Sequence, residues 1–242
     1  MVNTQNADER EKLEMSAEQR LKRAGTGILV IAWWCGALFG GAGTLSWVRG
    51  WICTVLYLGG TIVVPVVIIK VNPGLQERRE ARIHSGTKAF DKTFLCAFLP
   101  LAIALPAVAG LDSVRFALCP MPFWTLYPGL GLFVVSTAII VWVMVSNPHA
   151  ETTVRIQDER GHAVISGGPY RFVRHPMYVG LILLYFSQAL ILGSTLALLI
   201  AVVVAVLFFW RTGMEDRVLR NELPGYEEYS GFTRFRLIPG VW

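Results

Sequence analysis

Five stretches of this chain carry no Asp, Glu, Lys or Arg: Ala24–Val48, Gly50–Ile69, Thr93–Leu111, Phe116–Pro148 and Pro176–Trp210. A helix needs about 20 apolar residues to cross a bilayer core, and every run is close to that length or longer. Charged residues make up 16% of the chain, against roughly 25% in globular proteins. The expected fold is all-α, a polytopic helical membrane protein whose first partner is the lipid bilayer.

The last two runs are not simple spans. Pro176–Trp210 as one helix would reach roughly 52 Å, well beyond a hydrocarbon core of about 30 Å. Gly193-Ser194 lies midway and offers a break, so the run reads as a tight helical hairpin of two short spans. Pro120, Pro122 and Pro128 push the start of the preceding helix to about Trp124. The total is about six transmembrane helices, including this C-terminal hairpin.

With six spans both termini share a side. Of the 22 Lys and Arg, only Arg49 and Arg115 then fall on the opposite side. Basic residues favour cytoplasmic loops, so both termini and the large polar segments are expected in the cytoplasm. The net charge of +5 thereby follows from topology, and no nucleic-acid partner is expected. The membrane is the cell membrane, or the endoplasmic reticulum in a eukaryote.

The chain divides accordingly. Residues 1–23 form a mixed-charge cytoplasmic segment with no signal-peptide pattern. Residues 24–148 hold four transmembrane helices, with a basic cytoplasmic connector at 70–92 that suits a membrane surface. Residues 149–242 hold the polar region, the hairpin at 176–211 and a C-terminal tail. In the first span Gly36 and Gly40 form a small-residue face for helix packing, within one chain or between two, and the oligomeric state stays open. The four cysteines (Cys35, Cys53, Cys96 and Cys119) show no metal spacing, so no metal is expected. No span carries an ionisable group at its centre, which speaks against an ion-coupled transporter. Chemistry is expected at the cytoplasmic face.

There the chain turns polar. Residues 151–165 read as two short extended pieces around a turn at Asp158-Glu159-Arg160-Gly161. Gly168-Pro169-Tyr170-Arg171-Phe172-Val173-Arg174-His175-Pro176-Met177-Tyr178 then runs into the hairpin, with Pro176 suited to a first helical turn. The hairpin returns at Arg211-Thr212-Gly213-Met214-Glu215-Asp216. Arg211 and Glu215, four residues apart, share a helix face. With Arg174, His175 and Tyr178 they converge at the open end of an apolar hairpin, as a pocket requires. The tail, with Leu223-Pro224-Gly225-Tyr226-Glu227-Glu228-Tyr229, is too polar to span and is placed as a cap over this mouth.

These three motifs resemble the isoprenylcysteine carboxyl methyltransferase and phospholipid N-methyltransferase superfamily of integral-membrane enzymes. The resemblance covers about Asn147–Trp242. It implies a cytoplasmic cofactor-binding region for S-adenosyl-L-methionine, with S-adenosyl-L-homocysteine as product and no metal. By position it implies cofactor contacts at Gln157, His162, Ala163, Val164, Ile165, Tyr170, Arg174, His175, Pro176, Met177, Tyr178, Glu215 and Asp216. It implies Arg211 as the acceptor-binding residue, and Arg211, Glu215 and His175 as the catalytic set. The acceptor is a lipophilic small molecule or lipid-anchored group, for instance the carboxylate of an isoprenylcysteine-like molecule. Two departures stand out. The second acid is Asp216 where the family has Glu, and the loop at Gly161-His162 is short. Membrane sterol reductases share a related tail, so an NADPH-dependent lipid reductase is the competing reading, with Arg171, Arg174 or Arg234 for a 2′-phosphate. Phospholipid N-methylation and a non-enzymatic scaffold are the remaining alternatives.

Overall fold

A computed structural model describes residues 17–71, 88–150 and 163–242. Residues 1–16, most of the basic connector, and 151–162 with Gln157, His162 and the expected turn lie outside the described residues. Seven α-helices follow in order: α1 Ala17–Ala42, α2 Val48–Val71, α3 Ala89–Gly110, α4 Leu126–Ser146, α5 Pro176–Leu192, α6 Thr195–Glu222 and α7 Tyr226–Phe232. A π-helical turn, Leu111–Arg115, extends α3. Among the described residues five helices are long and apolar enough to cross a membrane, and α5, at 17 residues, is a shorter apolar helix. The described residues form no strand; one isolated bridge joins Pro120 to Ser194. The chain is an all-α polytopic membrane protein.

The hairpin breaks at the expected residues. Gly193 ends α5 with φ +72, a conformation that glycine adopts freely. A Cβ there would strike the Arg49 guanidinium. Ser194 caps α6, its Oγ accepting from the Ala197 N–H at 2.9 Å. The arms are unequal, however: α5 rises about 25 Å and α6 about 42 Å at 1.5 Å per residue. The excess of α6 carries Arg211 to Glu222 past the apolar part of the bundle.

A polar clamp closes the end of the bundle near Gly193. Arg49, 8% exposed, donates from Nε to the Ile191 carbonyl at 2.7 Å and from Nη2 to Thr125 Oγ1 at 2.7 Å. Asp112 accepts from Ser194 Oγ at 2.6 Å and from the Cys119 N–H at 2.8 Å. Buried charges persist only when so partnered.

Helix packing uses other glycines than expected. Gly36 and Gly40 have open space where a Cβ would stand, so they make no close approach within the chain. Gly41 and Gly110 make it instead. A Cβ on Gly41 would lie 2.5 Å from the Ala107 carbonyl oxygen, and one on Gly110 would lie 2.5 Å from the Ala42 nitrogen. These contacts lock α1 to α3. Gly129 and Gly180 similarly bring α4 against α5.

Candidate active site at the hairpin mouth

The two arms of the hairpin bring His175, Tyr178, Arg211, Glu215 and Asp216 together, as their spacing predicts. Their partners divide them into two groups. Asp216, with 1% side-chain exposure, is an anchor. It accepts from Arg174 Nε at 2.7 Å and Nη2 at 3.2 Å, from Arg236 Nε at 3.0 Å and from the Tyr226 hydroxyl at 3.1 Å. Arg220 lies 3.3 Å away and His175 Nε2 3.5 Å away. Such a forked guanidinium–carboxylate contact is among the stronger polar interactions. Arg174 spends its remaining donor, Nη1, on the carbonyls of Thr233 and Arg234, both at 2.8 Å.

The tail is thereby sewn onto the mouth. The Arg174 N–H donates to the Phe235 carbonyl at 2.9 Å, and the His175 N–H to that of Arg236 at 3.0 Å. The helix α7 packs Tyr226 and Tyr229 with Leu223 against Val164 and Tyr170. The Tyr229 hydroxyl donates to the Tyr170 carbonyl at 2.7 Å, and Asn147 Nδ2 donates to the Tyr170 hydroxyl at 2.6 Å. Burial pushes all three phenols up, Tyr229 to about 12. For Tyr226 the adjacent Asp216 carboxylate adds to burial. Ala163, Val164 and Ile165 take no regular secondary structure, and Val164 packs in the cluster of Leu223, Tyr226 and Tyr229.

Glu215 belongs to the second group. Its side chain is 19% exposed. One oxygen accepts from the Tyr178 hydroxyl, and the other stands 3.9 Å from His175 Nδ1. An ionised carboxylate has about four acceptor positions, so Glu215 retains capacity that Asp216 has used. The His175 and Tyr178 rings are parallel, with centroids 5.8 Å apart.

Arg211 does not simply pair along its own helix with Glu215. Its Nη2 lies 2.8 Å from Asp91 Oδ1 on α3, and its guanidinium sits over the Phe94 ring at 4.5 Å and the Tyr178 ring at 5.1 Å. Sequence reasoning missed Asp91 and Phe94. The available signal was Asp91 itself, an acid two residues before the charge-free run that begins at Thr93. Lys88 and Glu222, 2.8 Å apart, fasten the same two helices nearer the solvent.

From Arg211 and Tyr178 an apolar cavity of about 1210 Å³ runs between α2, α3, α4, α5 and α6. Most of its lining is aliphatic or aromatic, including Tyr57, Val64, Phe98, Leu181 and Phe208. Its exposed lining residues Thr61, Lys92, Cys96, Leu99 and Pro100 lie on α2 and α3. Those two helices make almost no direct contact with each other, so the cavity opens sideways between them.

Residues 124–223 match the family model described as phospholipid methyltransferase. The chain carries a phospholipid methyltransferase domain there. The match supports a membrane methyltransferase in general. No curated protein matches the chain. The methyltransferase domain takes in α4, the hairpin and every hairpin residue of the site. Asp91, Phe94 and the α2 and α3 walls of the cavity lie outside it.

Proposed function

We propose that the chain moves a methyl group from S-adenosyl-L-methionine to a lipophilic acceptor, with the basic end of the bundle facing the cytoplasm. The observation that carries this reading is the meeting of Glu215 and Tyr178 at the mouth of the apolar cavity, under the tail. Tyr178 lines the apolar cavity and donates to Glu215, which is partly exposed, so a polar surface and an apolar cavity meet at this pair. That arrangement suits a charged cofactor arriving from water and a lipid arriving from the bilayer.

The side chains fit the cofactor's chemistry. Glu215 keeps acceptor capacity for a hydroxyl or ammonium group, and charge-assisted bonds of this kind are strong. The Tyr178 face lies at the same place, and aromatic faces attract cations. When bound, S-adenosyl-L-methionine supplies a methyl group on a sulfonium centre, which the acceptor's lone pair takes while sulfur keeps the C–S electrons. The protein's contribution is position, which is worth several kcal/mol in such displacements. Arg211, held by Asp91 and two rings, orients the acceptor head. A carboxylate head, as in an isoprenylcysteine-like molecule, is already ionised and needs no base. An amine head needs one, and Glu215 or His175 is in reach of the mouth.

In this reading Arg174 and Asp216 hold the tail, while Glu215, Tyr178 and His175 face the cofactor. Purified protein should transfer label from S-adenosyl-L-methionine to a membrane lipid extract. Glu215→Gln should bind S-adenosyl-L-homocysteine at least tenfold more weakly by calorimetry, since a charge-assisted bond is lost. Unchanged affinity in that variant removes the site assignment. Stabilisation by NADPH but not by S-adenosyl-L-homocysteine reverses the choice of cofactor.

A further inference from the structure

The Gln188 side chain lines the apolar cavity without a hydrogen-bond partner among the described residues. The helix α5 lines the cavity with Met177, Leu181, Leu184, Gln188 and Ile191, a stripe at helical spacing. Gln188 alone in that stripe is polar. It is 8% exposed, it lines the cavity, and its amide makes no hydrogen bond to any described residue. A primary amide offers two donors and an acceptor with two lone pairs. Buried groups of this kind are nearly always hydrogen-bonded, and inside a membrane helix they usually mark a ligand path.

The position of Gln188 is informative. It lies three residues before Ile191, whose carbonyl accepts from Arg49 at 2.7 Å. Gln188 therefore lies towards the end of the cavity nearest that clamp. Tyr178 at the mouth precedes it by ten residues, about 15 Å along the helix. The cavity therefore carries Arg211 and Tyr178 towards one end and the Gln188 amide towards the other, with a mostly apolar lining between them.

We propose that Gln188 forms a distal polar subsite and that the acceptor is a two-headed amphiphile. One head reaches Arg211 and Tyr178, an apolar middle fills the cavity, and an oxygen function about 15 Å away bonds to the Gln188 amide. A single-headed lipid would instead bury that amide under hydrocarbon, a costly arrangement. This inference rests on the reading of the cavity as the acceptor site.

The test is binding, not turnover. Dissociation constants are measured for tetradecanoic acid and for its ω-hydroxy derivative, with the full-length protein in lipid nanodiscs. The wild type should bind the hydroxy acid about tenfold more tightly, the scale of one buried hydrogen bond whose loss leaves an orphaned group. Gln188→Leu and the length-preserving Gln188→Met should remove or reverse that preference. Equal affinities in the wild type, failure of both acids to bind, or a preference that survives both substitutions overturns the proposal. The wild-type comparison stands whether or not either variant folds. If the preference holds but S-adenosyl-L-homocysteine does not bind, the methyltransfer reading falls alone. If the cofactor binds and the two acids bind alike, the subsite falls alone.

Discussion

Arg211 on α6 and Asp91 on α3 meet at 2.8 Å with side-chain exposures of 7% and 0%. The contact joins the hairpin to a helix outside the methyltransferase domain. It also fixes the one cation at the cavity mouth that the reaction is proposed to use. Removing one member of such a buried pair strands the other's charge and costs about 3–5 kcal/mol. Asp91→Asn should lower thermal stability in detergent by that order and weaken acceptor binding, because Arg211 loses its support. The double variant Asp91→Leu/Arg211→Met should recover most of the stability and none of the acceptor binding. An unchanged melting temperature in Asp91→Asn would show that the pair supports nothing.

The neighbouring acids should separate in a stability-against-binding comparison. Asp216 is 1% exposed and holds Arg174, Arg236 and Tyr226. Asp216→Asn should release the tail, with a loss of about 3 kcal/mol or more and faster proteolysis after Leu223. Glu215 makes fewer contacts and is 19% exposed. Glu215→Gln should stay within about 1 kcal/mol of the wild type in stability while losing cofactor affinity. Equal destabilisation by both substitutions would refute the division into anchor and working acid.

A glycine series tests how α1 is seated. Gly110→Ala forces a Cβ onto the Leu38 carbonyl and the Ala42 nitrogen, and overpacking of this kind costs about 1–3 kcal/mol. Gly36→Ala meets open space and should gain up to about 1 kcal/mol from helix propensity. Thermal unfolding of the two variants decides, and the reverse order would mean that α1 packs through the Gly36 face.

These glycines mark where the sequence was legible and where it was not. Charge-free runs set the helices, because bilayer length leaves few other solutions. Gly193-Ser194 set the hairpin break, since a left-handed residue followed by a cap has a local signature. The rotation of α1 about its axis had no such signature. Both faces of a lipid-embedded helix are apolar, so Gly36 and Gly41 look alike in one dimension. Asp91 escaped for a related reason, because an acid at a helix start carries no mark of the arginine 120 residues later that it will meet. The tail's attachment was legible only as a cap. Two of its ties, Arg174 N–H to Phe235 and His175 N–H to Arg236, are made by backbone and leave no residue signal.

Alkaline pH should loosen that cap. A free tyrosine titrates near 10. In the folded protein Tyr229 is pushed up to about 12, and Tyr170 and Tyr226 are raised as well, in each case chiefly by burial. The fold thus holds these protons where the unfolded chain releases them. The Tyr229 contribution is fully present below about pH 10 and is lost as pH rises through about 12. Thermal stability and protease resistance of the tail should fall together across this window. Tyr229→Phe should cost about 1 kcal/mol at neutral pH through its bond to the Tyr170 carbonyl and should flatten part of the alkaline loss. A pH-independent tail would contradict the burial of these phenols.

Cys96 offers a direct probe of the sideways opening. It is an exposed free thiol on α3 and lines the cavity, close to the gap that α2 and α3 leave between them. A bulky lipid-soluble maleimide on Cys96 should obstruct an acceptor arriving from the bilayer and leave the polar mouth untouched. The expected signature is a rise of roughly tenfold in acceptor KM with unchanged affinity for S-adenosyl-L-homocysteine, which is lost binding of one reactant only. Cys96→Ala should abolish the sensitivity. Cys119, exposed near the opposite end beside the Asp112 clamp, serves as the control whose modification should have no such effect. Inhibition that persists in Cys96→Ala, or that removes cofactor binding as well, would place the acceptor's route elsewhere.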